Sequence, residues 1–378
     1  MVSADGTFLH NPNFKPDFSL DLLRSCNYIT HLYAVRHSLA LEVNGFSAGC
    51  DGSQDYDFTL KTTRLARKIR HIPKVLYHWR VHGGSVAADS GNKTYAYDAA
   101  VRALSRYYDS CGVKAAVTKD PQPGFYLTDY TITKKPLVSV LMYHCADQLC
   151  EEWKHAGIEL PCTLEFPRTL SQAHGEYILV LRDILRITPD TLRLLLSNCL
   201  REEIGIAAPR ILREDNKVAQ SGLIYNTDGD ILSPFAGEEA VYPGYHCYAV
   251  CQHQVSLAGP YCFMTSMENL QRNWPKQRPG NKEPVPNAKG HVIDAAADLQ
   301  PDLQDKTSQK DIHARMALFC LRTCQDGKLI TVIPRAHAIL TKKGTQDAAL
   351  PRSFDLPSLT APDPFYTPNF SQKRPYRF

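Results

Sequence analysis

Nowhere does this 378-residue chain hold a run of 18 or more apolar residues, so the sequence offers no membrane-spanning helix. Its opening stretch, MVSADGTFLHNPNFKPDF, lacks the apolar core of a secretory leader, and the cytoplasm is the expected compartment. Neither sign of charge dominates. The 43 Lys and Arg stand against 39 Asp and Glu, and a net +4 gives no argument for nucleic acid, although a weakly basic face allows peripheral contact with an anionic membrane. Paired cysteine motifs are also missing: the 12 cysteines are scattered, so reduced thiols are expected rather than a disulfide framework. In the one dense cluster, HCYAVCQH, the cysteine spacing and the lack of a second pair argue for packing of His246, Cys247, Cys251 and His253 rather than zinc.

What is present is an ordinary globular composition, 43% apolar and 10% aromatic, with length enough for two domains. QDYDFTLKTTRLAR predicts a helix capped by Ser53, with Asp55 in the first turn where the helix dipole favours an acid. KVLYHWRVH alternates as a strand, with Val75, Tyr77 and Trp79 on one face and Leu76, His78, Arg80 and His82 on the other. A long helix follows over NKTYAYDAAVRALSRYYDSCG, with apolar positions Tyr97, Val101, Leu104 and Tyr108 and a stop at Gly112.

DPQPGF reads as a joint within a linker over 121–136, after a first domain at 1–120. The second domain, 137–345, begins with the buried strand PLVSVLMYH. It continues with strand EYILVL, a helix opened by Thr188 and Pro189, and strand IGIAAPRIL. That order predicts an α/β fold with a mostly parallel sheet. Residues 271–310 read as a mobile loop and 346–378 as an extended tail.

Sliding the chain by 261 positions sets KIRHIPKVLYHW on LITVIPRAHAIL, matching Ile69 with Ile330, Ile72 with Ile333 and Pro73 with Pro334. The preceding helix matches too, Phe58, Leu60 and Thr62 falling on Phe319, Leu321 and Thr323. The polar groups do not match: Asp55 falls on Met316, Asp57 on Leu318 and His78 on Ile339. A decayed internal duplication accounts for both facts.

NPNFKPDFSLDLLRSCNYITHLYAVRHSL, with GSQDYDFTLK and HIPKVLYHWR, closely resembles the C-terminal half of family 2 glycosyltransferase domains from bacterial surface-polysaccharide gene clusters. The second domain is similar to the diverged partner often found in tandem behind it. The resemblance implies a GT-A-like, Rossmann-like α/β architecture, with a partial first domain followed by a degenerate second one. It implies inverting sugar transfer from a nucleotide-sugar donor to a glycan acceptor, with manganese or magnesium holding the departing diphosphate. On that basis Asp55 matches the catalytic base, His78 a metal-holding histidine, and Gln54, Asp57, Trp79 and Arg80 acceptor- or phosphate-side residues. Each has a plainer reading: Asp55 and Asp57 as helix-start acids, His78 as a hydrogen-bonded strand histidine, Trp79 as core.

The family's Asp-x-Asp metal motif normally lies upstream of NPNFKPDF, so the donor site is expected from a missing N-terminal segment or a separate subunit. Neither literal Asp-x-Asp string, Asp55 to Asp57 or Asp228 to Asp230, follows a buried strand, and Asp183 beside Arg182 makes a poor cation site. The isolated chain is expected to be inactive. The alternative class is a non-catalytic assembly or glycan-binding module, a pseudoenzyme or gene fragment.

Overall fold

A computed structural model gives two units, Met1–Thr131 with Pro364–Asn369 and Ile132–Asp363 with Phe370–Phe378. It describes residues 1–80, 94–142, 159–182, 184–226, 230–275, 306–341 and 363–366.

The first unit is helical, with one hairpin. Its elements are α1 (Leu20–Ser25), α2 (His37–Glu42), α3 (Gln54–Leu65), α4 (Thr94–Ser110), β1 (Ala115–Lys119) and β2 (Tyr126–Tyr130). Helix α4 buries Ala96, Ala99, Ala100, Ala103, Leu104, Tyr107 and Tyr108, a stripe at three- and four-residue steps. Leu104 and Tyr108 face inward as expected, while Tyr97 and Val101 are half-buried and alanines take the inner positions beside them, which lets α3 pack close. Gly112 does end the helix: at φ 67° it allows Val113 N–H to reach Tyr108 O (3.0 Å) and its own N–H to reach Asp109 O (3.0 Å). Those two bonds satisfy carbonyls that the helix itself leaves open.

DPQPGF is the turn of the antiparallel β1–β2 hairpin. Asp120 Oδ1 accepts from Gln122 N–H at 2.9 Å and Gly124 takes φ 87°, so prolines and glycine serve a tight reversal here. In α1, Arg24 is buried with its guanidinium 3.4 Å from Asp21 and 5.4 Å from the ring centres of Tyr107 and Tyr108.

The second unit is an α/β sandwich around a mixed sheet of nine strands among the described residues. Its elements in chain order are β3 (Leu137–Met142), β4 (Thr163–Glu165), β5 (Tyr177–Leu181), β6 (Leu185–Ile187), α5 (Pro189–Cys199), β7 (Ile204–Leu212) and β8 (Val218–Gln220). A two-stranded β9 (Ile224–Tyr225) and β10 (Ile231–Leu232) follow, then β11 (His253–Gln254), β12 (Cys262–Ser266), α6 (Met267–Asn273), α7 (Lys306–Gln325) and β13 (Leu329–Leu340). The main strand order is β11-β13-β7-β12-β5-β3-β4.

Parallel pairs β3–β5 and β7–β13 flank β12, which runs antiparallel to both β5 and β7. The sheet is therefore mixed rather than mostly parallel. Period-two alternation sends Ile178 and Val180 to one face and Leu179 and Leu181 to the other. The first face packs against α6 and α7 through Leu270, Trp274, Met316 and Phe319, the second against α5 through Leu192, Leu195 and Leu196. Pro334 sits inside β13, where the register with β7 shifts between Ile333 and His337. A bulge is where a sheet tolerates proline, and it turns Ile333, Ala336 and Ala338 to the α5 face.

Thr188 caps α5 as the sequence implies, its side chain accepting from Thr191 N–H at 3.1 Å with Pro189 at the first helical position. Thr188→Ala should cost about 0.5–2 kcal/mol of stability in urea unfolding followed by far-ultraviolet dichroism.

Several expectations change. No strand forms over 74–80: residues 72–79 are exposed and carry no ladder, and Arg80 makes a single bridge to Val2. Sheet partners of the kind β13 finds in β7 and β6 are absent around it among the described residues, while 81–82 lie outside them. Of the loop expected at 271–310, Met267–Asn273 and Lys306–Gln325 are helical, and 276–305 lie outside the described residues. Of the tail, only 363–366 are described, and there Asp363 is buried, accepting from Tyr225 N–H (3.1 Å) and Ser256 Oγ–H (2.7 Å).

Candidate functional site

The start of α3 is set by backbone constraints. Gly52 takes φ 86°, and a Cβ there would lie 2.7 Å from the Tyr95 ring and 2.9 Å from the Ala96 Cβ. The turn therefore needs glycine to bring α3 against α4. Ser53 occupies the cap position but makes no cap bond; its Oγ–H donates instead to Ala96 O at 2.7 Å. The expected capping role is overturned because α4 offers that hydroxyl a buried acceptor.

Asp55, in the first turn, is half-buried. Its Oδ2 accepts from Asn27 Nδ2–H at 3.1 Å and its Oδ1 from Tyr56 N–H at 2.9 Å. Asn27 is a residue that the sequence reading missed, since it lies 28 positions away and nothing in SCNYIT marks it. The Oδ1 of Asn27 is buried with no hydrogen-bond partner among the described residues.

Two residues along a helix is a turn of about 200°, and Asp57 accordingly faces elsewhere. It is buried and pairs with Lys61 Nζ at 3.0 Å. Lys61 also donates to Gly45 O (2.7 Å) and Ser47 Oγ (2.8 Å), which holds the chain after α2. Asp57 borders a cavity of about 290 Å³ shared with Glu42, Lys61, Arg64, Arg106 and Tyr107. Gln54 is exposed. Asp55 and Asp57 thus do not converge on one point.

His78, Trp79 and Arg80 are all exposed. Trp79 is not core: at 37% exposure its ring meets His31 edge-to-face, 5.3 Å between centres, and Tyr77 meets the same imidazole at 5.4 Å. The His31 loop is held by Lys15, whose ammonium donates to Ile29 O (3.3 Å), Thr30 O (2.7 Å) and His31 O (3.3 Å). Burial pushes that ammonium down to about 8. Arg80 Nη1–H donates to Ala4 O at 2.8 Å, so its guanidinium is engaged by the amino-terminal turn.

Among the described residues no group of three or more His, Cys, Asp and Glu side chains could hold a metal ion. In HCYAVCQH, His253 lies in β11 with its Nδ1 2.8 Å from Cys251 O. Asp183 and Asp228 lie outside the described residues. Asp230 closes the turn between β9 and β10, bonding to Asn226 through both its N–H (2.8 Å) and its Oδ2 (3.1 Å). Of the duplicated positions, Met316 is buried in the core and Ile339 is 42% exposed on β13, so neither carries chemistry.

No family model matches the chain. It is similar to the uncharacterized protein y4gI of Sinorhizobium fredii, 28% identical over 289 residues that make up 64% of this chain and 31% of that protein. It is also similar to the O-antigen biosynthesis protein RfbC of Myxococcus xanthus, 28% identical over 267 residues, 59% of this chain and 21% of that one. Among solved structures, GalNAc-T7 with UDP, GalNAc and Mn2+ overlaps 60% of this chain and 47% of its own at 8% identity and a TM-score of 0.31, too loose a likeness to bear on the fold. The chain spans less than a third of the length of either curated relative it matches.

Proposed function

We propose that the chain derives from a GT-A-like glycosyltransferase of cell-surface polysaccharide synthesis, moving a sugar from a nucleotide-sugar donor to a glycan acceptor. On this reading the unit Met1–Thr131 is the acceptor half and Ile132–Asp363 a decayed copy. The observation that carries the reading is the Asp55–Asn27 pair: a half-buried carboxylate in the first turn of α3, oriented by Asn27 Nδ2–H, suits the removal of a proton from an acceptor hydroxyl. The relative from Myxococcus xanthus, named for O-antigen biosynthesis, supports the polysaccharide setting.

Asp55 takes the acceptor hydroxyl's proton as that oxygen bonds to the anomeric carbon, and the nucleoside diphosphate leaves with the electrons of the broken bond, inverting the centre. Exposed Gln54 stands on the acceptor side and Trp79 offers a sugar platform; Asp57, turned away and paired with Lys61, and Arg80, engaged by Ala4 O, are given no part in the transfer. The described residues do not fit a divalent-cation site, since His78 would be a lone ligand; no part of the proton transfer is assigned to a cation. On this reading the donor site is supplied by a further segment or subunit.

The second reading, a non-catalytic assembly or glycan-binding module, is favoured by Met316, Leu318 and Ile339 at the positions equivalent to Asp55, Asp57 and His78. Incubation of the chain with uridine and thymidine diphosphate sugars plus manganese tests the chain by itself. Release of nucleoside diphosphate, or heat of donor binding by calorimetry, shows a transferase that works alone. Absence of both counts against activity of this chain alone, and decides for the binding module only when the same assay is repeated with a longer protein that supplies the donor half.

A further inference from the structure

Between Asp57 and Asp89 the chain holds seven Lys and Arg and no acid, although the whole chain is nearly balanced. Arg64, Arg67, Lys68, Arg70, Lys74 and Arg80 are exposed. The nearby acid Asp17 is engaged, its Oδ1 3.1 Å from His71 Nδ1. The same stretch exposes large apolar side chains: Ile72 at 59%, Val75 at 61%, Leu76 at 60%, Tyr77 at 47% and Trp79 at 37%, with Leu32 at 69% beside the His31 contact. Isolated exposed hydrophobes are ordinary, but a consecutive run of them flanked by cations marks a docking surface.

The duplicated strand says what this surface is not built to meet. In β13, Ile330, Thr331, Val332 and Ile333 are fully buried, and Leu329 is half-buried, between β7 and its other neighbours. The equivalent positions of the first copy carry Lys68 at Leu329, Arg70 at Thr331 and His71 at Val332. Burying those charges on both faces of a sheet would be expensive, so the first half of the segment has lost the character of an inner strand. A second copy would set basic residues against basic residues, which repel across paired strands.

Exposed apolar side chains that include a tyrosine, interspersed in the chain with cations on long flexible stems, suit a lipid headgroup layer: the ring lies at its depth and the cations reach phosphate. We propose that Arg64–Tyr77 is a membrane-docking strip whose occupant is the surface of an anionic lipid bilayer. This inference stands independently of the sugar-transfer reading.

The test is cosedimentation of the full chain with phosphatidylcholine vesicles, with and without phosphatidylglycerol, at low and high salt. Binding is expected only with phosphatidylglycerol, falling at least about tenfold at high salt as charges are screened. Arg67→Gln/Lys68→Gln/Arg70→Gln should weaken it at least about tenfold, and so should Leu76→Ser/Tyr77→Ser. All these side chains except the half-exposed Tyr77 stem are well exposed, so melting temperature should not move, and a variant that does melt early is replaced by Val75→Ser. Equal binding to both vesicle types, no binding, or partition unchanged in either variant overturns the proposal. So does a stable assembly of the chain that ignores vesicles and is abolished by Leu76→Ser/Tyr77→Ser, which would place protein on this surface.

Discussion

Asp55→Asn is expected to lower sugar transfer about 10²–10⁴-fold, the range that a positioned general base contributes, while leaving the unfolding midpoint in place. Asparagine cannot take the hydroxyl proton. It can still offer Oδ1 to Asn27 Nδ2–H, so the bond that joins the first turn of α3 to the segment after α1 survives the change. The pairing of a large rate loss with unchanged stability is the signature sought, since a carboxylate kept only to begin a helix would produce the opposite. Initial rates of nucleoside diphosphate release, measured in whatever preparation supports turnover, and a thermal melt of the same samples supply the two readouts. A loss below about tenfold would remove Asp55 from the chemistry.

Arg24→Met should cost the first unit about 3–5 kcal/mol, the penalty for breaking a buried ion pair by removing one partner. The methionine fills much of the volume but withdraws the guanidinium from Asp21, which is only 1% exposed, and from the Tyr107 hydroxyl 3.3 Å away. It also removes the cation that sits 5.4 Å from two tyrosine ring centres, which ties α1 to α4. Converting Asp21 to asparagine in the same chain should recover part of the loss, because the buried carboxylate that has lost its guanidinium becomes neutral. Urea unfolding of the single and double variants gives the comparison. A single-variant loss under about 1 kcal/mol would mean that the pair is dispensable.

Where local chemistry decides structure, the sequence was readable. Thr188 followed by Pro189 opens α5, Gly112 closes α4, and the uninterrupted apolar run Ile204–Leu212 is a strand buried on both faces. Readings that depended on distant partners were less secure. Ser53 looks like a cap in its own neighbourhood, yet the carbonyl of Ala96 takes its hydroxyl. HIPKVLYHWR alternates as strands do, but alternation describes a segment prepared for a ladder and cannot supply the neighbour. The antiparallel course of β12 was equally invisible, because strand direction follows from the path of the connections rather than from CFMTS itself. Asn27 became a candidate only through its contact with Asp55.

The parallel pairing of Ile206 with Ile330 has a bearing on how the protein is born. A ribosome delivers the early strand long before the late one, and until Leu329–Leu340 emerges the nascent domain has an apolar flank with nothing to zip onto. Closing so wide a loop carries an entropic cost and slows the search. Release from the ribosome before that last strand would yield a sticky intermediate, and chaperone demand should peak in this interval of synthesis.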